Sequence, residues 1–212
     1  MSKTILALLV LLASYCPEAH SQILKNYGIK LGVTSADQKY QYTLTEDIKT
    51  NRRIGFNIAA YAEWFDLSSF SLITQAEYAQ RGMGLSYVVT DATGPQASGI
   101  NTAYSRLDYI SIPILVKFTF MTGTIAPYLM AGPRADFLMG YSSDGGLLNT
   151  VYDDFKKTTF GGSAGIGVRV EPVLSLSVLA EFRYNFDFAD SYATDLLKVR
   201  NNAFDFWVGI AL

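Results

Sequence analysis

Cysteine and histidine are nearly absent from this sequence, whose 212 residues contain one of each, Cys16 and His20. Both lie in an N-terminal segment that has the features of a secretory signal peptide. A chain without that segment has no cysteine for a disulfide, a thiol nucleophile or a thiolate metal site. It also lacks the side chain that most often acts as a general base or metal ligand at neutral pH. These absences argue against an enzyme, and no cofactor or metal is expected.

An excess of charge of one sign is missing as well. The 17 basic and 19 acidic residues give a formal net charge of −2, so there is no basic footprint for nucleic acid, and no nucleic-acid partner is expected. Long apolar runs are also lacking after the N-terminal segment, where none reaches the roughly 18 residues of a membrane helix. Because 50% of the residues are nevertheless hydrophobic, they must be spaced along the chain.

The N-terminal segment, residues 1–21, is interpreted as a signal peptide. It has a basic start at Lys3, an apolar stretch from Ile5 to Ala13, and a small-residue exit at Ala19-His20-Ser21. A lipid anchor on Cys16 is disfavoured because Tyr15 precedes it, where a small residue would be expected. The sequence therefore predicts one domain, residues 22–212, after export.

Period-two alternation recurs through that domain. From Leu174 to Phe188 every second residue is apolar, and Phe204 to Leu212 repeats the pattern, so that one face can meet lipid and the other water. About eight strands follow, the others being Tyr27–Ser35, Ile54–Phe65, Phe70–Arg81, Tyr104–Phe120, Ile125–Tyr141 and Thr158–Val170.

The connections alternate in length. Short turns are expected at Asp66–Ser69, Met121–Thr124 and Glu171–Val173. Long polar stretches are expected to be loops, at Ala36–Arg52, Met83–Ala103, Ser142–Lys157 and Ala189–Arg200. Together these patterns predict an all-β fold, an eight-stranded antiparallel transmembrane β-barrel with short periplasmic turns and four longer extracellular loops.

A soluble β-sandwich or a lipocalin-like barrel is the alternative, with the apolar face inward. It is disfavoured because strands of about ten to fifteen residues exceed the usual five or six. The apolar faces are also rich in Phe, Tyr and Ile, whereas the opposite faces carry small and charged residues. Small residues suit the tight interior of a narrow barrel.

The polar face of the predicted barrel contains a balanced set of charges. These side chains are expected to pair across a plugged lumen, and the set is Lys30, Glu63, Glu77, Arg81, Lys117, Arg134, Asp136, Arg169, Glu181, Arg183, Asp187 and Asp205. A proton or ion path along the same residues is the functional alternative. A wide pore is disfavoured because porins need about sixteen strands.

Aromatic residues fall into two predicted groups. Those near strand ends are interpreted as membrane-interface girdles, namely Tyr27, Trp64, Tyr78, Tyr104, Tyr128, Tyr141 and Phe188. Those in the long loops are predicted to be exposed and able to anchor a partner, namely Tyr40, Tyr42, Tyr87, Tyr152, Phe155 and Tyr192. The glycine-rich stretch Gly161–Val168 is interpreted as a closely packed strand rather than a phosphate cradle.

Pro113 lies in the middle of the alternating run "YISIPILVKFTF", residues 109–120. A proline cannot donate to a sheet ladder and is usually confined to edges, strand starts or bulges. The alternation places Pro113 on the lumen face with Ser111 and Lys117. An interrupted hydrogen bond or a β-bulge is therefore predicted there.

The stretch "YISIPILVKF" resembles a strand of the PorT-like outer-membrane β-barrel family of Bacteroidetes-type bacteria. Ser71–Leu85 and Ala126–Gly140 are similar to the preceding and following strands of that family. The resemblance implies an outer-membrane barrel, and some members act in secretion or gliding. Ser111 stands where the family often has an inward carboxylate, so Lys117 is expected to pair with Glu77 or Asp136 instead.

The expected function is therefore a small non-enzymatic outer-membrane protein of a Gram-negative cell, structural or partner-binding through its loops. A place in an envelope or secretion assembly is included in this expectation, and a narrow channel or transport protein is the alternative. The expected partners are outer-membrane lipid and lipopolysaccharide, an envelope protein and the barrel assembly machinery. The C-terminal "FDFWVGIAL" looks like the strand which that machinery reads, although Leu212 replaces the usual final aromatic residue.

Overall fold

A computed structural model of the chain describes residues 23–43, 48–67, 69–91, 94–121, 123–144, 149–173 and 176–212. The predicted signal peptide and Cys16 lie outside these residues. The strands are β1 (Leu24–Tyr42), β2 (Asn51–Leu67), β3 (Phe70–Asp91), β4 (Gly94–Thr119), β5 (Ile125–Ser143), β6 (Thr158–Val173), β7 (Leu176–Asp187), β8 (Tyr192–Ala193) and β9 (Leu197–Ala211). A short helix, α1 (Asn149–Asp153), lies between β5 and β6. No helix in the described part is long and apolar enough to cross a membrane.

The strands form a closed antiparallel ring. Each of β1 to β7 pairs with its neighbour in sequence, β7 pairs with β9, and β9 returns to β1. Among the described residues, the two-residue strand β8 pairs with β9 alone and stands outside the ring. Eight strands therefore close the barrel, which confirms the predicted fold class.

The ring closes with a stagger. From Tyr27, a line perpendicular to the strands passes through the partners of each strand in turn and returns to β1 at Asp37, ten residues further along. The step from β4 to β5 on this line follows the register of the flanking pairs. With standard strand dimensions, this stagger tilts the strands by about 40° from the barrel axis.

The two faces of the wall differ sharply. Lys30 is 1% exposed, whereas its neighbour Leu31 is 61% exposed. The same contrast separates the outward Ile54 and Phe56 from the inward Asn57. The outer surface is therefore an apolar band and the inner surface is polar, as period-two alternation in a closed ring requires.

The strands are longer than predicted on the extracellular side. The polar segment Met83–Ala103, expected to be a loop, is instead mostly a continuation of β3 and β4, which pair as far as Asp91 and Gly94. Part of Ala36–Arg52 likewise belongs to β1. The loop prediction was wrong here because polar residues on both faces are compatible with a strand that has left the membrane.

A hairpin arm projects from the barrel, formed by Leu85–Asp91 of β3 and Gly94–Tyr104 of β4. The pairing of β2 with β3 reaches only Gly84, and that of β5 with β4 reaches only Ser105. Among the described residues, the arm therefore has no strand on either edge. Seven residues of β3 at about 3.4 Å each make an arm of roughly 24 Å.

The ladder is interrupted near Pro113 without a bulge. Pairing with β3 stops after Thr74–Ile114 and resumes at Glu77–Ser111 in the same register. On the other side Pro113 pairs with Arg134. The side chain of Pro113 is buried. The prediction of an interrupted hydrogen bond or a bulge at Pro113 is thus confirmed by the interruption. The register shift between β4 and β5 lies elsewhere, between Asp108 and Tyr109.

Candidate functional site

The polar lumen is the most distinctive site in the structure. All twelve charged side chains predicted to face it are buried, with at most 8% of any residue exposed. Their register on eight tilted strands distributes them over three levels. Counted from the end of the barrel that holds Leu212, these are a lower, a middle and an upper level.

At the lowest level, Glu63 of β2 is the centre of a cation cluster. Lys117 Nζ lies 3.1 Å from both carboxylate oxygens of Glu63. Arg169 Nη2 donates to Glu63 at 2.6 Å, and Ser71 Oγ donates at 2.6 Å. The expected pairing of Lys117 with Glu77 or Asp136 was wrong, because the strand stagger places Lys117 level with Glu63 rather than with either of them.

Beside this cluster, Lys30 of β1 donates to Glu181 Oε1 at 2.6 Å. Tyr128 OH donates to the same oxygen at 2.9 Å. Tyr128 is only 3% exposed, so its assignment to the outer aromatic girdle was wrong. Its ring lies over Gly167, where a Cβ would overlap it, and this explains why a small residue is needed opposite an inward tyrosine.

Arg183 of β7 occupies the middle level. Its Nη1 donates to Gln75 Oε1 at 2.9 Å and lies 3.5 Å from Glu77 Oε2. The guanidinium also stacks on the ring of Trp207, 4.6 Å from the centroid. A Cβ at Gly165 would lie 2.6 Å from Arg183 Cγ. The glycine-rich strand β6 therefore leaves space for the large side chains of the lumen.

The middle level also contains polar atoms without a protein partner. Both amide atoms of Asn57 are buried and make no hydrogen bond to the described residues. The same holds for Glu77 Oε1 and Asp205 Oδ1, although Asp205 Oδ2 accepts from Asn185 Nδ2 at 2.6 Å. This level is thus the least completely paired part of the lumen.

At the upper level Asp136 is held between two arginines. Arg81 Nη1 donates to it at 2.7 Å and Arg134 Nε at 2.8 Å. Ser111 Oγ donates to the same carboxylate, while Arg134 Nη2 donates to Asp187 at 2.9 Å. Ser111 thus supports the Asp136 carboxylate from the neighbouring strand.

The extracellular mouth is closed by a tyrosine cap, defined here as Tyr40, Tyr152 and Phe155. They are 4%, 1% and 5% exposed, so the prediction that these loop aromatics are exposed was wrong. Tyr152 OH donates to Gln38 Oε1 at 2.8 Å and lies 2.7 Å from Ser105 Oγ. Burial raises the pKa of the Tyr152 phenol, so this side chain stays neutral.

The other predicted loop and girdle aromatics are more accessible. Tyr87 is 43% exposed on the hairpin arm, whereas Tyr42 and Tyr192 are partly buried against the tyrosine cap. Among the girdle residues, Tyr27, Tyr104 and Phe188 are 52%, 48% and 60% exposed. Trp64, Tyr78 and Tyr141 are partly exposed.

Sequence reasoning missed the polar layer directly beneath the tyrosine cap. Gln38 and Asn201 are buried, and Gln38 Nε2 donates to Asn201 Oδ1 at 2.8 Å. The signal was present, because the alternation of β1 continues beyond Ser35 through Ala36 and Gln38 to Tyr40. The polar composition of this segment had instead suggested a loop.

The side chains of the lumen bind one another rather than an evident substrate. Among the residues that the structure describes, no group of three or more His, Cys, Asp or Glu side chains is placed to hold a metal ion. The ion pairs neutralise the buried charges of the lumen, and the paired side chains fill it.

Comparison with known proteins places this geometry in a family. The family described as "outer membrane protein beta-barrel domain" matches residues 20–193. The chain belongs to this family of outer-membrane β-barrels. Membership of the family implies a location in the outer membrane. No protein of curated function matches the sequence.

Solved outer-membrane barrels have the same fold with little sequence identity. The outer membrane protein OprG from Pseudomonas aeruginosa is 8% identical, with a TM-score of 0.50 over 90% of this chain and 96% of OprG. The outer membrane protein AlkL, solved in DMPC bilayers, is 8% identical, with a TM-score of 0.51 over 93% of each chain. The protease OmpT from Escherichia coli is 10% identical, with a TM-score of 0.45 over 90% of this chain and 97% of OmpT. At these identities the likeness to OprG and AlkL concerns the fold alone.

Proposed function

We propose that this outer-membrane barrel is a non-enzymatic protein that binds an envelope partner through its extracellular face, chiefly through the hairpin arm. The observation that carries the proposal is the arm itself, which has two unpaired edges among the described residues. A strand with free N–H and C=O groups is a template for another extended segment, which adds by main-chain hydrogen bonding. Tyr87 and Val88 are 43% and 53% exposed on the arm and supply apolar contact beside that edge.

The filled lumen supports the same proposal by leaving little room for passage. Ion pairs join opposite walls at the lower level, Arg169 to Glu63, and at the middle level, Arg183 to Glu77, and Tyr152 blocks the extracellular mouth. A barrel whose interior is occupied by its own side chains presents its working surface at its ends. The enzyme alternative is disfavoured because the sequence outside residues 1–20 has neither histidine nor cysteine.

Site-specific photo-crosslinking in intact cells tests the proposal. A photoreactive residue at position 87 is expected to give one reproducible protein adduct, and the same residue at the exposed position 157 is the matched control. Replacing residues 86–102 by Asn-Gly should abolish co-purification of that partner, while heat-modifiable gel migration shows that the barrel is still folded. Equal adducts at both positions, or unchanged co-purification by the shortened protein, would contradict the role of the arm.

The alternative function is a narrow channel, and one observation favours it. Asn57, Glu77 and Asp205 leave buried polar atoms without protein partners at the middle level, and such atoms are commonly satisfied by water. A hydrated middle level would still need its two ends to open. Single-channel conductance distinguishes the two functions, because only an open lumen carries a stable current.

Membership of the PorT-like branch and a place in a secretion or envelope assembly belong to the same proposal. The resemblance of Tyr109–Phe118 to the corresponding PorT strand supports both. Export by a cleaved signal peptide, and insertion by the barrel assembly machinery through "FDFWVGIAL", complete it. N-terminal sequencing of the membrane-extracted protein is expected to begin near Gln22, and a chain that begins at Met1 would contradict the processing step.

A further inference from the structure

Four basic side chains gather on the outer wall, just beyond the apolar band. Lys39 of β1 stands directly opposite Arg200 of β9, and Lys198 follows two residues away on the same face. Arg52 of β2 lies over the wall, where its Nη1 donates to Asn202 Oδ1 at 3.2 Å and its guanidinium covers the ring of Phe204 at 4.7 Å. These four residues are exposed and are called the basic patch.

A groove lies beside the basic patch on the same wall. Its volume is about 190 Å³, and it is lined by Lys39, Gln41, Tyr184, Phe186, Arg200, Asn201 and Asn202. Asp187 also lines it, but the Asp187 carboxylate accepts hydrogen bonds from Arg134, Ser191 and Asn201. Basic and amide groups thus form its upper side, while aromatic rings form its lower side. The groove can accept a group that is anionic at one end and apolar at the other.

The charge of the basic patch is only partly neutralised by the protein. Arg200 Nε donates to Asp190 at 2.5 Å. Asp37 Oδ1 accepts hydrogen bonds from Thr50 Oγ1 and from the backbone N–H of Gln38. Lys39 and Lys198 form no ion pair with the described residues. Like charges directly opposite each other on adjacent strands repel, so Lys39 and Arg200 favour an external anion between them.

The depth of the patch fits a lipid headgroup. Below the groove, aromatic rings continue down the lipid-facing wall, with centroids 5.7 Å apart for Tyr184 and Phe186, 4.9 Å for Tyr184 and Phe204, and 5.7 Å for Phe204 and Phe182. Aromatic residues at this position are typical of the membrane interface. An anion held by the patch would therefore carry acyl chains along this row of rings.

We propose that the basic patch and the groove bind a phosphorylated glycolipid of the outer leaflet. One phosphate lies between Lys39 and Arg200, and the acyl chains pack on Tyr184, Phe204 and Phe182. Arg52 and Lys198 flank the headgroup. This inference does not rest on the partner-binding role of the hairpin arm, because the two surfaces share no residue.

Native mass spectrometry of the detergent-extracted protein tests the inference. The probes are diphosphoryl lipid A, the same glycolipid without phosphates, and phosphatidylglycerol. The variant is Lys39→Gln/Arg200→Gln, and the control is Lys156→Gln/Lys157→Gln, which removes the same charge from exposed loop positions. Losing two basic contacts near a membrane surface is expected to weaken diphosphoryl lipid A binding about thirtyfold, while the control binds as the parent does.

The conservative variant Lys39→Arg/Arg200→Lys should retain binding, which separates loss of charge from loss of fold. Heat-modifiable migration of every variant provides the folding check. Equal weakening by the control pair would overturn the inference. So would parent binding that is no tighter to the diphosphoryl form than to the phosphate-free form, or binding of phosphatidylglycerol that is equally tight.

Discussion

Removing the negative charge of Glu63 tests whether the lumen is held together by its ion pairs. Lys117 and Arg169 both contact this carboxylate, at 3.1 Å and 2.6 Å, and Lys25 Nζ lies 3.9 Å away. Glu63→Gln keeps the size of the side chain but leaves Lys117, 3% exposed, without its anion. Removing one partner of a buried ion pair lowers the free energy of unfolding by about 3–5 kcal/mol, because the other charge stays desolvated.

An exposed pair gives the matched control for this change. Arg200 Nε and Asp190 Oδ1 are separated by 2.5 Å, but the arginine side chain is 47% exposed. Solvent screens such a pair, so Asp190→Asn should lower the free energy of unfolding by at most about 1 kcal/mol. The contrast between the two substitutions separates buried pairing from the general effect of removing one acidic residue.

The measurement is reversible urea unfolding from phosphatidylcholine vesicles, followed by tryptophan fluorescence. Unchanged denaturant dependence with a lower midpoint would identify a loss of stability in the folded state. A Glu63→Gln protein within 1 kcal/mol of the parent would refute the assignment of Glu63 as the centre of a structural cluster. It would indicate instead that Lys117 and Arg169 are solvated in the folded barrel.

Two further substitutions test the packing of the lumen and the closure of its mouth. Gly167→Leu should destabilise the barrel by about 1–3 kcal/mol, because the new leucine side chain meets the Tyr128 ring. Adding Tyr128→Ala should recover part of this loss of stability. Strictly additive effects of the two substitutions would contradict the contact. Tyr152→Phe removes the bonds to Gln38 and Ser105, so amide exchange of Asn149–Asp153 should accelerate about tenfold, whereas unchanged exchange would show that the helix is held otherwise.

The faces of the barrel were predictable from sequence because a closed sheet between lipid and a polar interior imposes strict alternation. Leu31 and Lys30 illustrate this, with exposures of 61% and 1%. The positions of the lumen side chains along the barrel axis, and therefore their partners, were not predictable. Lys117 and Glu63 lie on strands that are not neighbours, and their meeting depends on the stagger of the whole ring, which no local pattern encodes.

The extracellular side was predicted least well, for a different physical reason. Once a strand leaves the membrane its outer face becomes polar, and the contrast between faces that marks a strand disappears. Tyr40 and Tyr152 were therefore assigned to exposed loops although both are buried. For Tyr40, the alternation with Gln38 was the better guide. For Tyr152, burial depends on α1 folding over the mouth, a tertiary contact without a local signal.

Single-channel recording of the protein in planar bilayers tests the central claim, the filled lumen, most directly. With ion pairs at the lower and upper levels and Tyr152 across the mouth, no stable open level is expected in symmetric salt, and Glu63→Gln should be the first variant to show transient current. A stable open current of reproducible size from the parent protein would contradict the claim and favour the channel.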